Sequence, residues 1–146
     1  MIRMVIVDDF IETAESLSNL YTLRPDIKIV GIAQNAEQLW EVLREEEVNL
    51  VSLDIQLERE NGLEVCQALH EKFPDLFIVM CSVEATLENK RLTTEAGAAH
   101  FLAKPITMND VAETLQMYFD YKNAMNEPTS PLTRENLDKL FDALKE

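Results

Sequence analysis

The chain has 146 residues, room for one compact domain with its own core and too few for two ordinary ones. Its hydrophobic content of 47% fits a globular protein, and its formal charge of -14 argues against a nucleic-acid-binding surface, which normally needs a basic patch. The longest apolar run, Phe77 to Cys81, is far too short to span a bilayer, and Met1-Ile2-Arg3 leads straight into a strand without a signal peptide, so the cytoplasm is the expected compartment and no membrane contact is expected.

Met4 to Val7 reads as a buried strand ending in two acids, Asp8-Asp9. From Phe10 to Leu23 the period turns helical, with Ile11, Ala14, Leu17 and Leu20-Tyr21 on one face, and Pro25-Asp26 breaks it. Ile27 to Ala33 is a second strand. Asn35 with Gln38 three positions on has capping-box spacing, and the helix it opens carries Leu39, Trp40 and Leu43 as its buried stripe. Leu50-Val51-Ser52-Leu53-Asp54 is the third strand, closed by a carboxylate and followed by a polar loop from Ile55 to Gly62. Gly62 opens a helix through Leu63, Val65-Cys66 and Leu69 that stops before Pro74. A fourth strand, Phe77 to Cys81, ends at Ser82; a polar helix from about Ala85 ends at Gly97, in the position of a left-handed cap. His100 to Ala103 is the fifth strand, ending at Lys104-Pro105, and Thr107 caps a helix whose Val111, Leu115, Tyr118 and Phe119 face inward. Cys66 and Cys81 lie in apolar segments without metal or redox spacing and read as small core residues.

Strand and helix alternate five times, which predicts parallel strands joined by right-handed crossovers: an α/β three-layer sandwich, flavodoxin-like, with a five-stranded parallel sheet of order 2-1-3-4-5 and helices on both faces. The three glycines, Gly31, Gly62 and Gly97, build neither a dinucleotide turn nor a phosphate-cradling loop. The domain is expected to occupy 1–121. Residues 122–146 then form a linker, centred on Asn126 to Pro131, and a C-terminal helix with Leu137, Leu140-Phe141 and Leu144 as an amphipathic stripe too short to form a core alone.

Taken together, the strand ends carry Asp8-Asp9, Asp54, Ser82 and Lys104, and the predicted sheet gathers them in the crevice where α/β proteins bind ligands. Alone, Asp8-Asp9 or Ser82 would be helix caps, Asp54 a loop cap and Lys104 a surface lysine. Three carboxylates within about 4 Å repel by several kcal/mol per pair at an effective dielectric of about 20. One lysine cannot neutralise them; a hard cation with oxygen ligands can, and Mg²⁺ (or Mn²⁺) suits carboxylates, water and a phosphoryl oxygen. One carboxylate is then free to act as nucleophile and become an aspartyl phosphate, with Lys104 pairing with the phosphoryl group and the Ser82 hydroxyl donating to it.

With these residues in order, residues 1 to about 121 resemble the receiver domain of two-component response regulators. Val7-Asp8-Asp9 is similar to the family's paired acids, Asp54 to its phosphoacceptor, Ser82 to its switch hydroxyl and Lys104-Pro105 to the lysine before a cis peptide bond. The stretch Gly97 to Pro105 resembles the family's last strand and puts Phe101 at the switch-aromatic position; the 22 positions from Ser82 to Lys104 (104 − 82) also suit the family. The resemblance implies Mg²⁺ on Asp9, Asp54 and the Gln56 backbone carbonyl, with Asp8 acting through water, and gives Gln56 and Glu84 the positions that tune hydrolysis of the aspartyl phosphate. It departs from the family at Glu58, where a proline is usual, and Arg59 and Glu60 add further charge, so a more mobile loop is expected there.

The function this implies is a phosphorylation-dependent signalling module, not an enzyme beyond slow self-dephosphorylation. A sensor histidine kinase or phosphotransfer protein donates the phosphoryl group to Asp54, and Ser82 and Phe101 remodel the face of the fourth helix, fifth strand and fifth helix toward a downstream protein, a same-chain effector or a second copy in a homodimer. The alternatives are a receiver fragment of a longer transcription or ATPase-linked regulator, and an aspartate-nucleophile phosphohydrolase of the haloacid-dehalogenase type. The second wants an acid two positions after its nucleophile, where Asp54 is followed by Gln56 and Asp8 by Phe10.

Overall fold

Each apolar run becomes a strand, and the structure, a computed structural model, describes residues 1–126. In chain order the main elements are β1 (Ile2–Val7), α1 (Ile11–Tyr21), β2 (Ile27–Ala33), α2 (Ala36–Glu45), β3 (Leu50–Asp54), α3 (Gly62–Lys72), β4 (Phe77–Ser82), α4 (Leu87–Glu95), β5 (His100–Ala103) and α5 (Met108–Asn126). The five strands pair in parallel in the order β2-β1-β3-β4-β5, the order expected from the alternation. Every residue of β3 and β4 is buried, as central parallel strands covered on both faces require. The edge strand β2 is half-buried and carries a bulge: Met4 pairs with Ile29 and Val5 with Gly31, which leaves Val30 as the extra residue.

Side chains alternate across the sheet. Val5, Val7, Val51, Leu53, Ile78 and Met80 form one core with Ala36 and Leu39 of α2 and Val65, Cys66 and Leu69 of α3. The alternate residues Met4, Ile6, Leu50, Ser52, Val79 and Cys81 lie on the opposite face, and α1 buries Ala14, Leu17 and Tyr21. Ile11, expected on that buried stripe, is exposed, because α1 begins only there and its first turn lies beyond the sheet end. Asn35 caps α2 by accepting from the Gln38 amide at 2.9 Å, while the Gln38 side chain accepts from the Gln34 amide at 2.8 Å, one position before the cap. Gly97, at φ +98°, ends α4 in the left-handed region, where a Cβ would come 2.4 Å from the His70 ring.

The region Met1–Thr114 is one unit and the chain from Leu115 another. In the first, Thr107 and Asp110 form a reciprocal cap at the start of α5, with the Thr107 amide donating to Asp110 at 2.9 Å. In the second, Leu115 and Tyr118 are buried, whereas Phe119, expected inside, is 37% exposed and meets the Tyr118 ring edge-on at 5.7 Å. A helix turns 100° per residue, so with Leu115 and Tyr118 at the centre of the buried stripe Phe119 falls at its edge. α5 continues through Asn126, so 122–126 are helix where the sequence suggested the start of a linker; Lys122 to Met125 contain no breaker. The stripe Leu137, Leu140, Phe141 and Leu144 lies outside the described residues.

Candidate functional site

The carboxyl ends of β1, β3 and β5 place four side chains together. Asp8 follows β1 directly, is 2% exposed, and is held by its amide donating to the Ala33 carbonyl of β2 at 2.9 Å. Its Oδ1 accepts from the Phe10 amide at 2.9 Å, a short local turn that fixes the carboxylate. Asp54, the last residue of β3, is 8% exposed and accepts from the Gln56 amide at 2.9 Å. Lys104, just beyond β5, reaches both: its Nζ stands 2.8 Å from Asp8 Oδ2 and 2.6 Å from Asp54 Oδ2. The Lys104–Pro105 peptide is cis.

One oxygen from each of Asp8, Asp9 and Asp54 lies within 4.8 Å of the others. The donor set is all carboxylate, without histidine or thiolate, and so fits a hard divalent cation such as Mg²⁺. A cavity of about 200 Å³ opens over these groups, lined by Asp8, Asp9, Phe10, Asp54, Gln56 and Lys104 with Thr13 and Val83. Burial pushes the Asp54 carboxyl above its ordinary range, against the lowering effect of Lys104 and the Gln56 amide. For Lys104, burial works against the charged form, but the bonds to Asp54 and Asp8 outweigh it and hold the ammonium well above its usual value.

Ser82 is brought near these groups without facing them. It is fully buried, its Oγ accepts from the Glu84 amide at 3.0 Å, and its carbonyl accepts from the Lys104 amide at 2.9 Å. Val83, not Ser82, lines the cavity mouth. The Glu84 carbonyl in turn accepts from Asn89 of α4 at 2.8 Å, so this loop is tied to the first turn of that helix. Phe101 is half-buried and packs against the core shared with α2 and α3.

The loop after Asp54 carries regular structure. Gln56–Leu57 and Glu60–Asn61 pair as a two-stranded antiparallel hairpin, with Leu57 buried. Asn61 caps α3, and Gly62 sits so close to β3 that a Cβ would fall 2.0 Å from the Asp54 carbonyl oxygen. Glu60 accepts from the Ala36 amide at the start of α2 at 2.8 Å. Sequence reading missed this contact, since nothing local marks a bond across 24 positions. It also missed the apolar rim, in which Phe10 and Val83 are 66% and 69% exposed beside the acids.

The sequence model of the response regulator receiver domain matches residues 4–116. The chain belongs to this family. The receiver is 26% identical over 142 residues to the transcriptional regulatory protein CitT of Bacillus subtilis, a match that covers 97% of this chain and 62% of that protein. It is 32% identical over 119 residues to protein-glutamate methylesterase/protein-glutamine glutaminase 3 of Burkholderia thailandensis, covering 81% of this chain and 32% of the other. It therefore spans less than two thirds of these curated relatives, and the methylesterase carries a receiver-like segment within a longer enzyme. The crystal structure of a CheY-like receiver domain protein from Methanospirillum hungatei shares the fold, with TM-score 0.75 at 24% identity over 85% of this chain and 98% of that one. Among the described residues no helix is long and apolar enough to cross a membrane.

Proposed function

We propose that this receiver accepts a phosphoryl group on Asp54 from a phosphohistidine of a partner protein, a sensor histidine kinase or a phosphotransfer protein. The observation that carries this reading is the Asp54 carboxylate at the floor of an open acidic cavity, 2.6 Å from the Lys104 ammonium and within 4.8 Å of Asp8 and Asp9. Asp9, Asp54 and the Gln56 carbonyl would hold Mg²⁺ (or Mn²⁺), with Asp8 acting through water; the ion would offset the repulsion between these acids and an incoming phosphate. In the transfer, the donor's N–P bond breaks, an O–P bond forms on the Asp54 carboxylate, and the leaving imidazole takes up a proton. Lys104 pairs with the phosphoryl oxygens.

The apolar rim favours a protein donor. Phe10 and Val83 flank the acids, and Val83 also lines, with Leu17, Leu20, Pro105 and Ile106, an adjoining apolar cavity of about 390 Å³. A small anionic donor has no use for such a surface, while a docked helical protein buries it. On phosphorylation the Ser82 hydroxyl exchanges its bond from the Glu84 amide for one to the phosphoryl group, and Phe101 turns further inward. The change is read on the face of α4, β5 and the first turns of α5 by a downstream protein, a same-chain effector or a second copy. Gln56 and Glu84 set the lifetime of the aspartyl phosphate, whose slow hydrolysis is the chain's only turnover, in the cytoplasm. Residues 1–121 act as the receiver unit and 122–146 as an appended segment.

The test is incubation with acetyl phosphate and Mg²⁺, followed by intact mass. We expect a single added phosphoryl group on wild type and on Glu58→Gln, and none on Asp54→Asn. Labelling that persists without Asp54, or repeated turnover of a generic phosphomonoester, would overturn the reading.

A further inference from the structure

The hairpin after Asp54 is an unusual support for a metal ligand. Of its five charged or amide residues, Gln56 and Asn61 pair across the ladder, Asn61 also caps α3, Glu58 and Arg59 are exposed, and Glu60 reaches across to α2. The Glu60 carboxylate accepts from the Ala36 amide, the first helical residue of α2 and one of the donors that the helix itself leaves unpaired. The charge also faces the positive end of the helix dipole. Glu60 is paired directly with Leu57 and sits one rung from Gln56, whose amide donates to Asp54. On its other side the Gly62 amide donates to the Ile55 carbonyl at 2.7 Å, the Ile55 amide donates to the Cys81 carbonyl of β4 at 3.0 Å, and Leu57 is buried in the core. The proline expected at 58 is absent, so the backbone at this loop has no ring to stiffen it.

We infer that Glu60 is a positioning residue for the metal site: by clamping the hairpin to α2, it keeps the Gln56 backbone beside Asp54. This rests on the reading that Asp9, Asp54 and the Gln56 carbonyl hold Mg²⁺. A plain helix cap would satisfy the same hydrogen bond without that consequence, and a remote negative charge would attract the cation without needing the bond. Three variants separate these roles. Glu60→Ala removes both bond and charge. Glu60→Gln keeps an acceptor oxygen and removes the charge. Ala36→Pro removes the donor and keeps the charge, at a first helical position where proline is well tolerated.

The experiment is calorimetric Mg²⁺ titration of the full chain at fixed ionic strength, with amide hydrogen exchange of the metal-free protein alongside. Glu60→Ala and Ala36→Pro should each weaken Mg²⁺ binding about tenfold, the scale on which supporting groups act on bound metals. Both should speed exchange at the Gln56 and Gly62 amides, and Glu60→Gln should stay close to wild type in both measurements. Unchanged Mg²⁺ affinity in Glu60→Ala, with only a lower melting temperature, would reduce Glu60 to a cap and overturn the inference. So would a Glu60→Gln loss matching that of Glu60→Ala while Ala36→Pro loses nothing, since charge alone would then explain it. Wild type that binds no Mg²⁺ would overturn the metal reading itself, and the inference with it, a result distinct from either.

Discussion

Asp54 is pulled two ways, and the balance has a measurable sign. Burial disfavours its anion more than Lys104 and the Gln56 amide favour it, so it titrates above its ordinary value of 3.8 in the folded chain. The folded state then holds this proton more tightly than the unfolded chain does. Its contribution to stability therefore falls as pH rises from 3.8 through the raised value. In metal-free buffer, the urea midpoint of wild type should drop relative to Asp54→Asn across that window and run parallel to it above. A wild-type midpoint that rises relative to Asp54→Asn there would show that Lys104 wins. The acids and Lys104 were legible because each follows or closes an apolar run and the predicted strand order brings those ends together; singly, each would have read as a cap or a surface lysine. Glu60 was not, because its partner lies on another element and its neighbours are charged. Nor was the side on which Phe119 falls, because a stripe of period 3.6 admits either of two adjacent aromatics.

Among the elements, the junction from β3 through the hairpin to α3 tolerates the least change. A Cβ at Gly62 would meet the Asp54 carbonyl oxygen at 2.0 Å and the Ile55 Cα at 2.8 Å, both backbone atoms that cannot rotate away. Gly62→Ala should cost about 3 kcal/mol, at the upper end for overpacking, because the strand must shift and not just a side chain. Urea unfolding should show a lower midpoint with an unchanged slope, and labelling by acetyl phosphate should fall because Asp54 moves with its carbonyl. The same junction marks how far local sequence reading goes. Gln56–Leu57 and Glu60–Asn61 are two residues each, too short for any alternation to reveal them as strands. The caps at Asn35 and Thr107, by contrast, are encoded within four residues and were legible.

For the molecule as a whole, the formal charge of -14 sets an electrostatic background against which the site must be judged. Self-repulsion at this charge is screened by salt, so stability should rise when NaCl is raised from low concentration. Mg²⁺ at equal ionic strength should add a further increment, of about 2.7 kcal/mol at one hundred times its dissociation constant. Asp9→Ala should keep the first effect and lose the second. Equal midpoints in the two salts for wild type would show that the acids attract cations only diffusely. The strand order was readable in advance because alternating elements leave few unknotted, right-handed solutions. The bulge at Val30 was not, since one extra residue in an apolar run leaves the run's pattern of apolar side chains unbroken.

The Lys104–Asp8 bridge joins residues 96 positions apart, and this has a consequence during synthesis. A chain synthesised only through β4 contains Asp8, Asp9 and Asp54 but not the ammonium that opposes them. Until Lys104 emerges, the nascent chain holds an acid cluster with no tethered counter-charge, and closing the sheet at β5 is what supplies one. Chains stalled or truncated before β5 would thus lack both the last strand and the neutralising lysine. Such fragments should stay open to proteolysis and unlabelled by acetyl phosphate.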